Sequence, residues 1–319
     1  MSESQPRAQG LQVPILDLGP YFAGEPGALE QAAEQLRYIG ENVGFHYIAN
    51  HGVDQALIDS VFAETARFHA QPVDAKMALR VNEFMQGYMP MKSSTIRTSD
   101  LSQNNLPNLN EAFFVQREGA SYMPPNQWPP GMPEFKRVML AYYEALDRLA
   151  YRMLPLYAVA LGVEPDYFLP AFQAPHSGLR VTHYPAAEYA AREFGLAPHT
   201  DSSFITLLAQ NKKAGLQIKG PDGEWVDAPG IEGTMIVNSG DILNRWTNGR
   251  FRSTPHRAFN VDTEPRYAIP FFVHPDWRYR MQCVPTCCGP DNPPKYAPET
   301  TEEYFSWFAK SNYDHLRNR

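Results

Sequence analysis

The second half of the chain is broken by turns too often to be helical. From residue 180 to residue 274 the segments RVTHYP, SFITLLAQ, LQIKG, EWVDAP, TMIVNSG, DILNRW, HRAFNV and RYAIPFFVH follow one another, separated by PDG, GIEG, NGR and similar turn formers. Their β-branched and aromatic side chains suit a pleated, half-buried surface. Each is expected to be a strand, and many short strands at regular spacing imply a β-sandwich or a Greek-key barrel. Neither a GxGxxG motif nor a P-loop is present, so nothing calls for a nucleotide fold.

The first half has a different period. After a short strand at VPILDL, the residues Leu29, Ala32, Ala33 and Leu36 mark one buried helical face. FHYIAN reads as a strand, and Ile58, Val61, Phe62 and Thr65 repeat the helical spacing, with Asp54 placed to cap that helix. The longest stripe runs through Phe135, Val138, Met139, Tyr142, Leu146, Leu149, Ala150 and Met153, with Pro155 expected to kink the helix and Gly162 to stop it. Between these helices, from Phe84 to about Pro130, turn formers dominate. A stretch of this kind is either a lid or binding loop or an ordinary surface excursion.

Composition narrows the possible partners. The chain has 319 residues, 43% of them hydrophobic and 20% charged, enough for one large domain or two modest ones. A net charge of -7, with no stretch concentrating lysine and arginine, offers no field for a polyanion. A small molecule is therefore the expected partner, and nucleic acid is not. No apolar run approaches the roughly 18 residues that cross a bilayer, and the start MSESQPRAQG lacks the apolar core of a secretion signal. No membrane association is expected, and the expected location is the cytoplasm. Cys283, Cys287 and Cys288 cluster near the C-terminus with no matching cluster elsewhere, which fits neither a disulfide framework nor a zinc site.

The stretch GLAPHTDSSFITLLAQN places His199 and Asp201 two residues apart just before a β-forming run. On a strand such a pair projects to the same side and can reach one ion. A third ligand must come from another strand, and His256 in RFRSTPHRAFN is the best candidate. Two histidines and one carboxylate form the facial triad that leaves positions of a ferrous ion open to substrate and oxygen.

Across nearly its whole length the chain resembles the non-haem iron, 2-oxoglutarate-dependent oxygenases of the isopenicillin N synthase type. The resemblance runs from VPILDL and GFHYIANHGV through LRVTHYP, HTDSSFITLLAQ and GLQIK to GDILNRWTNGRFRSTPHRAFN and RYAIPFF. It implies a distorted double-stranded β-helix, a jelly roll with flanking helices, mainly β in class. It implies a single oxygenase domain over residues 1–319: a helix-rich part with substrate-covering loops over about 1–165, a jelly-roll core carrying the iron over about 175–280, and a C-terminal tail and helix over 281–319.

Carried over by position, the resemblance makes His199, Asp201 and His256 ligands of Fe(II). Arg266 matches the arginine that pairs with the distal carboxylate of 2-oxoglutarate, a task suited to a planar guanidinium fork. Tyr184 matches a tyrosine bonded to the same carboxylate, and Thr182 stands where many plant relatives have an asparagine near the oxoacid's other end. Ala268 stands where the family usually has a serine sharing the carboxylate, so one donor is missing. The implied reaction uses molecular oxygen and 2-oxoglutarate, releases succinate and carbon dioxide, and hydroxylates, desaturates or cyclises a small organic substrate. Tyr88, Met89, Arg97 and Asn110 fall in the region that covers substrate in the family, with a solvated surface position the simpler account of Arg97. His183 should turn away from the site, since its neighbour Tyr184 faces inward. Two other readings are an oxidase that needs no oxoacid and a non-catalytic jelly-roll binding protein.

Overall fold

Alternation along the strands organises the molecule. The computed structural model describes residues 12–101, 106–186, 193–211, 213–260 and 262–317. Its strands are β1 (Ile15–Asp17), β2 (Phe45–Ala49), β3 (Gly87–Met89), β4 (Glu111–Gln116), β5 (Gly178–Tyr184), β6 (Leu196–His199), β7 (Ile205–Gln210), β8 (Leu216–Lys219), β9 (Trp225–Asp227), β10 (Thr234–Ser239), β11 (His256–Ala258), β12 (Arg266–Val273), β13 (Arg280–Met281) and β14 (Glu299–Thr300). The helices are α1 (Gly19–Ala23), α2 (Ala28–Asn42), α3 (Gln55–His69), α4 (Val73–Met77), α5 (Pro133–Ala160), α6 (Asp241–Trp246) and α7 (Thr301–Asn312).

One eight-stranded sheet runs β1-β2-β10-β7-β12-β5-β4-β3, and a four-stranded sheet runs β6-β11-β8-β9. From one face of the large sheet, Phe113, Leu179, Val181, Leu207, Val237 and Ile269 pack with Leu36 of α2, Val61 of α3 and Phe135 and Leu146 of α5. From the other face, Tyr47, Tyr184, Leu208, Ile236 and Ala268 meet Leu216, Ile218 and Ala258 of the small sheet. The two sheets thus enclose an interior while helices cover the outside, which is the double-stranded β-helix.

The expected helical stripes form α2, α3 and α5. Asp54 accepts a hydrogen bond from the Ala56 amide at 2.9 Å and so caps α3. Pro155 lies inside α5, and Gly162 just beyond the helix has φ of 76°, a conformation that favours glycine. Two expectations are corrected. DILNRW is not a strand but α6, because Ile242, Leu243 and Trp246 bury one side of a single helical stretch. The segment from Phe84 to Pro130 is not all loop: it supplies β3 and β4, and β4 reads as an unbroken run because both of its faces are buried. Among the described residues, no helix is long and apolar enough to cross a membrane.

On the helix side of β4, Glu111 is buried within a polar cluster. Lys76 of α4 donates to its Oε2 at 2.8 Å, Tyr88 of β3 donates to the same oxygen, and His183 of β5 bonds its Oε1 at 2.7 Å. His69 Nδ1 lies 3.5 Å from Oε1. Burial alone would raise the Glu111 carboxyl, but contacts from His183, His69, Lys76 and Tyr88 hold it below its ordinary 4.5. Glu111→Gln should cost about 3–5 kcal/mol at neutral pH, because it leaves Lys76 buried without its counter-charge. A depressed carboxylate contributes stability above the unfolded-state pKa and loses it as pH falls towards the folded one. Thermal melts of wild type and variant should therefore converge as pH drops below 4.5. A constant gap down to acid would remove Glu111 as the source.

Candidate active site

The small sheet brings the two predicted histidines together. His199 ends β6 and His256 begins β11, and the two are direct partners in the antiparallel register. Asp201 lies two residues beyond the end of the strand, so its approach to His199 comes from the turn into β7 rather than from strand alternation. His199 Nε2 and His256 Nε2 stand 3.5 Å and 3.6 Å from Asp201 Oδ1. All three residues are buried, and one ligand atom from each falls within 4.8 Å of the others.

Hydrogen bonds aim these groups. His199 Nδ1 lies 2.9 Å from the Ala197 carbonyl and His256 Nδ1 lies 3.2 Å from the Thr254 carbonyl. A carbonyl only accepts, so each Nδ1 carries a proton and each ring turns its Nε2 towards Asp201 Oδ1. Asp201 Oδ2 accepts from Thr206 at 2.6 Å and from Asn238 at 2.8 Å, leaving Oδ1 for the centre. Burial and the nearby His256 keep the His199 imidazole below its ordinary value. Burial works against the Asp201 charge, yet the two imidazoles outweigh it and hold the carboxyl well below its usual range. Against its burial, the His256 imidazole is raised by Asp201; one anionic oxygen and two imidazole Nε2 atoms facing a common point suit a divalent iron that takes the place of the protons.

A second cluster, His69, Glu111 and His183, gathers its ligand atoms just as closely. There the Lys76 ammonium and the Tyr88 hydroxyl already occupy Glu111 Oε2. A fixed positive charge at the carboxylate makes that cluster an ion-pair network rather than a cation site. His183 thus sits on the opposite side of β5 from Tyr184, as its position predicts.

Arg266, Tyr184 and Thr182 share the interior face beyond the triad. Arg266 and Tyr184 are register partners across β12 and β5, and Thr182 faces Ala268 in the same ladder. Arg266 is 1% exposed. Its guanidinium carbon lies 4.9 Å from the centre of the Tyr184 ring, and its Nη2 donates to Gln210 Oε1 at 3.2 Å. Gly215, with φ of 141°, brings the chain so near that a Cβ there would sit 2.3 Å from the Phe259 carbonyl and 3.2 Å from Arg266 Nε. The Thr182 hydroxyl is buried with no hydrogen-bond partner. A buried guanidinium and a buried unsatisfied hydroxyl on one interior face fit a carboxylate-bearing co-substrate.

In front of His199 and Asp201 lies a cavity whose wall includes Met85, Ile96, Phe114, Arg180, Phe272 and His274. The predicted substrate residues lie elsewhere, and none is among the described residues lining it. Tyr88 packs on the helix side of the sheet with its hydroxyl on Glu111. Met89 is fully buried in a small cluster with Phe114. Arg97 pairs with Asp314 at 3.0 Å near the surface. Asn110 lies behind the wall, donating to the Gly195 carbonyl at 2.6 Å and accepting from Arg180 at 2.7 Å. The expected segment does contribute to the wall, but through other residues, because alternation in β3 and β4 assigns neighbours to opposite faces. Sequence reasoning also missed Thr206, Asn238 and Arg180. Thr206 and Arg180 each stand between two aliphatic residues of a strand, which was the available signal, whereas Asn238 beside Ser239 carried a weaker one.

Residues 175–275 match the 2OG-Fe(II) oxygenase superfamily, and residues 13–131 match the non-haem dioxygenase in morphine synthesis N-terminal family. A 2-oxoglutarate-Fe(II) type oxidoreductase, hxnY, of Emericella nidulans is 33% identical over 94% of this chain and 90% of its own. Kihadalactone A synthase of Citrus sinensis is 31% identical over 92% of both chains. A full-length Neurospora crassa protein, crystallised in complex with alpha-KG and thymine, superposes with a TM-score of 0.85 at 26% identity, covering 96% of this chain and 98% of that one. The chain belongs to the 2OG-Fe(II) oxygenase superfamily. It is a 2-oxoglutarate-dependent dioxygenase, with Fe(II) as cofactor and 2-oxoglutarate as co-substrate.

Thr206→Val and Asn238→Leu each remove one of the two hydrogen bonds that hold Asp201 Oδ2. Losing an outer hydrogen bond to a metal-ligating carboxylate should weaken Fe(II) binding by about 10–100-fold with the fold intact. Chelator competition measures the loss, and wild-type affinity in both variants would show that Asp201 is held by other means.

Proposed function

We propose that His199, Asp201 and His256 hold the ferrous ion and that Arg266, Tyr184 and Thr182 hold 2-oxoglutarate while a small organic substrate is oxidised in the adjoining cavity. The orientation of Asp201 carries this reading: one carboxylate oxygen is tied down by Thr206 and Asn238, and the other faces two imidazole Nε2 atoms. Iron with 2-oxoglutarate supplies the oxidising power from molecular oxygen, releasing succinate and carbon dioxide. The chain's own residues do the rest. Arg266 fixes the distal carboxylate by charge and fork geometry, and Thr182 offers a hydroxyl opposite Ala268. The aromatic wall of the cavity keeps bulk water from the reacting carbon. Reading residues 1–319 as one oxygenase domain rests on the large sheet, which draws strands from both halves of the chain.

Anaerobic titration of 2-oxoglutarate into the ferrous protein tests the assignment. Arg266→Ala should weaken the oxoacid by about 2–5 kcal/mol, since it leaves a desolvated charge without its partner. Thr182→Val should cost about 0.5–1.5 kcal/mol, the worth of one hydrogen bond. Iron content should stay at the wild-type level in both, whereas His256→Ala should lose it. Unchanged oxoacid affinity in Arg266→Ala would remove that residue from the co-substrate site and favour an oxidase in which it serves the substrate instead.

A further inference from the structure

The interior face of β5 carries a charge that the oxygenase chemistry does not use. Arg180 is 5% exposed, and by alternation it shares the side of Thr182 and Tyr184. It lines the same cavity as His199 and Asp201. A guanidinium stays protonated and offers five N–H donors, so a buried one calls for an anion or several acceptors. Arg180 donates from Nη2 to Asn110 Oδ1 at 2.7 Å, a neutral partner. Its Nε makes no hydrogen bond, and the Phe114 ring lies 5.5 Å from its central carbon.

The cavity does not neutralise this charge. Among the described residues lining it Asp201 is the one acid, and both Asp201 oxygens are engaged, one by the two imidazoles and one by Thr206 and Asn238. Burial lowers His176 to about 3 and His274 to about 4, so these two wall residues are neutral at physiological pH. Asn110 is itself anchored, with its amide nitrogen on the Gly195 carbonyl, and it holds Arg180 in a fixed direction. Ile96, Phe114, Phe272 and Phe305 make much of the remaining wall apolar.

We propose that Arg180 binds a carboxylate of the primary substrate, and that this oxygenase acts on a small organic acid with an apolar body. The inference rests on the oxygenase reading above and names the substrate class for that site. Asn110 is then a positioning residue, acting on the substrate only through Arg180.

The test compares organic acids with their neutral primary amides by calorimetry. The ferrous protein is kept anaerobic and saturated with 2-oxoglutarate, so that Arg266 is already engaged. The pairs are benzoate and benzamide, phenylacetate and phenylacetamide, cinnamate and cinnamamide, and hexanoate and hexanamide. In wild type at least one acid should bind roughly tenfold or more tightly than its amide, as a charge-assisted pair requires. Arg180→Met should abolish that preference. Arg180→Lys keeps the charge without the fork and should reduce it, and this variant decides the matter if methionine unfolds the chain. No acid outbinding its amide on wild type, or a preference unchanged in either variant, overturns the proposal. Binding of 2-oxoglutarate alone to wild type reports separately on the oxygenase reading. Its failure would sink that reading while the acid and amide comparison is still read directly.

Discussion

The register of β5 between β4 and β12 is the constraint on which both fold and chemistry depend. Leu179, Val181 and His183 face the helices, whereas Arg180, Thr182 and Tyr184 face the interior. A slip of one residue would exchange these sets, burying a guanidinium under α3 and α5 and turning two aliphatic side chains into the cavity. The outward set resists that slip through hydrophobic packing and through the bond from His183 to Glu111. The proposed function rests on the inward set, so α3 and α5 hold that strand in place from the opposite face.

The turn after β6 shows how the same economy operates at the proposed iron site. Asp201 must present one oxygen to the centre, and the loop that carries it is fastened from behind. The Asp241 amide at the start of α6 donates to the Asp201 carbonyl at 2.7 Å. Gly240 lies so close to Ser203 that a Cβ there would meet the Ser203 carbonyl at 2.0 Å. Ser203 in turn bonds Thr206, which donates to the carboxylate itself. A short helix therefore clamps the backbone of the Asp201 loop while a hydroxyl relay through Ser203 and Thr206 fixes its side chain.

Much of this was legible in the sequence, and for identifiable reasons. Stripes of one period named α2, α3 and α5, and runs of the other named most of the interior strands, because each of those elements buries one continuous face. DILNRW misled because six residues are too few to distinguish the two periods, and β4 was hidden because both its faces are covered. The triad could be read since its members sit on or beside short strands in the same small sheet. The cavity wall was less accessible. Tyr88 and Met89 are adjacent in sequence and lie on opposite sides of a sheet, so knowing that a segment covers the site does not say which of its residues face it. Arg180 was missed although a signal was there: it stands between Leu179 and Val181 at the same parity as Thr182 and Tyr184.

The proposed function joins two halves: a triad assigned to iron, and a buried guanidinium assigned to the oxoacid on the neighbouring face. Oxygen uptake by the ferrous protein, followed together with succinate in the presence and absence of 2-oxoglutarate, tests that junction most directly. The account predicts that uptake depends on 2-oxoglutarate and that each oxygen consumed is matched by one succinate formed. Uptake that proceeds at the same rate without 2-oxoglutarate, with no succinate formed, would contradict it.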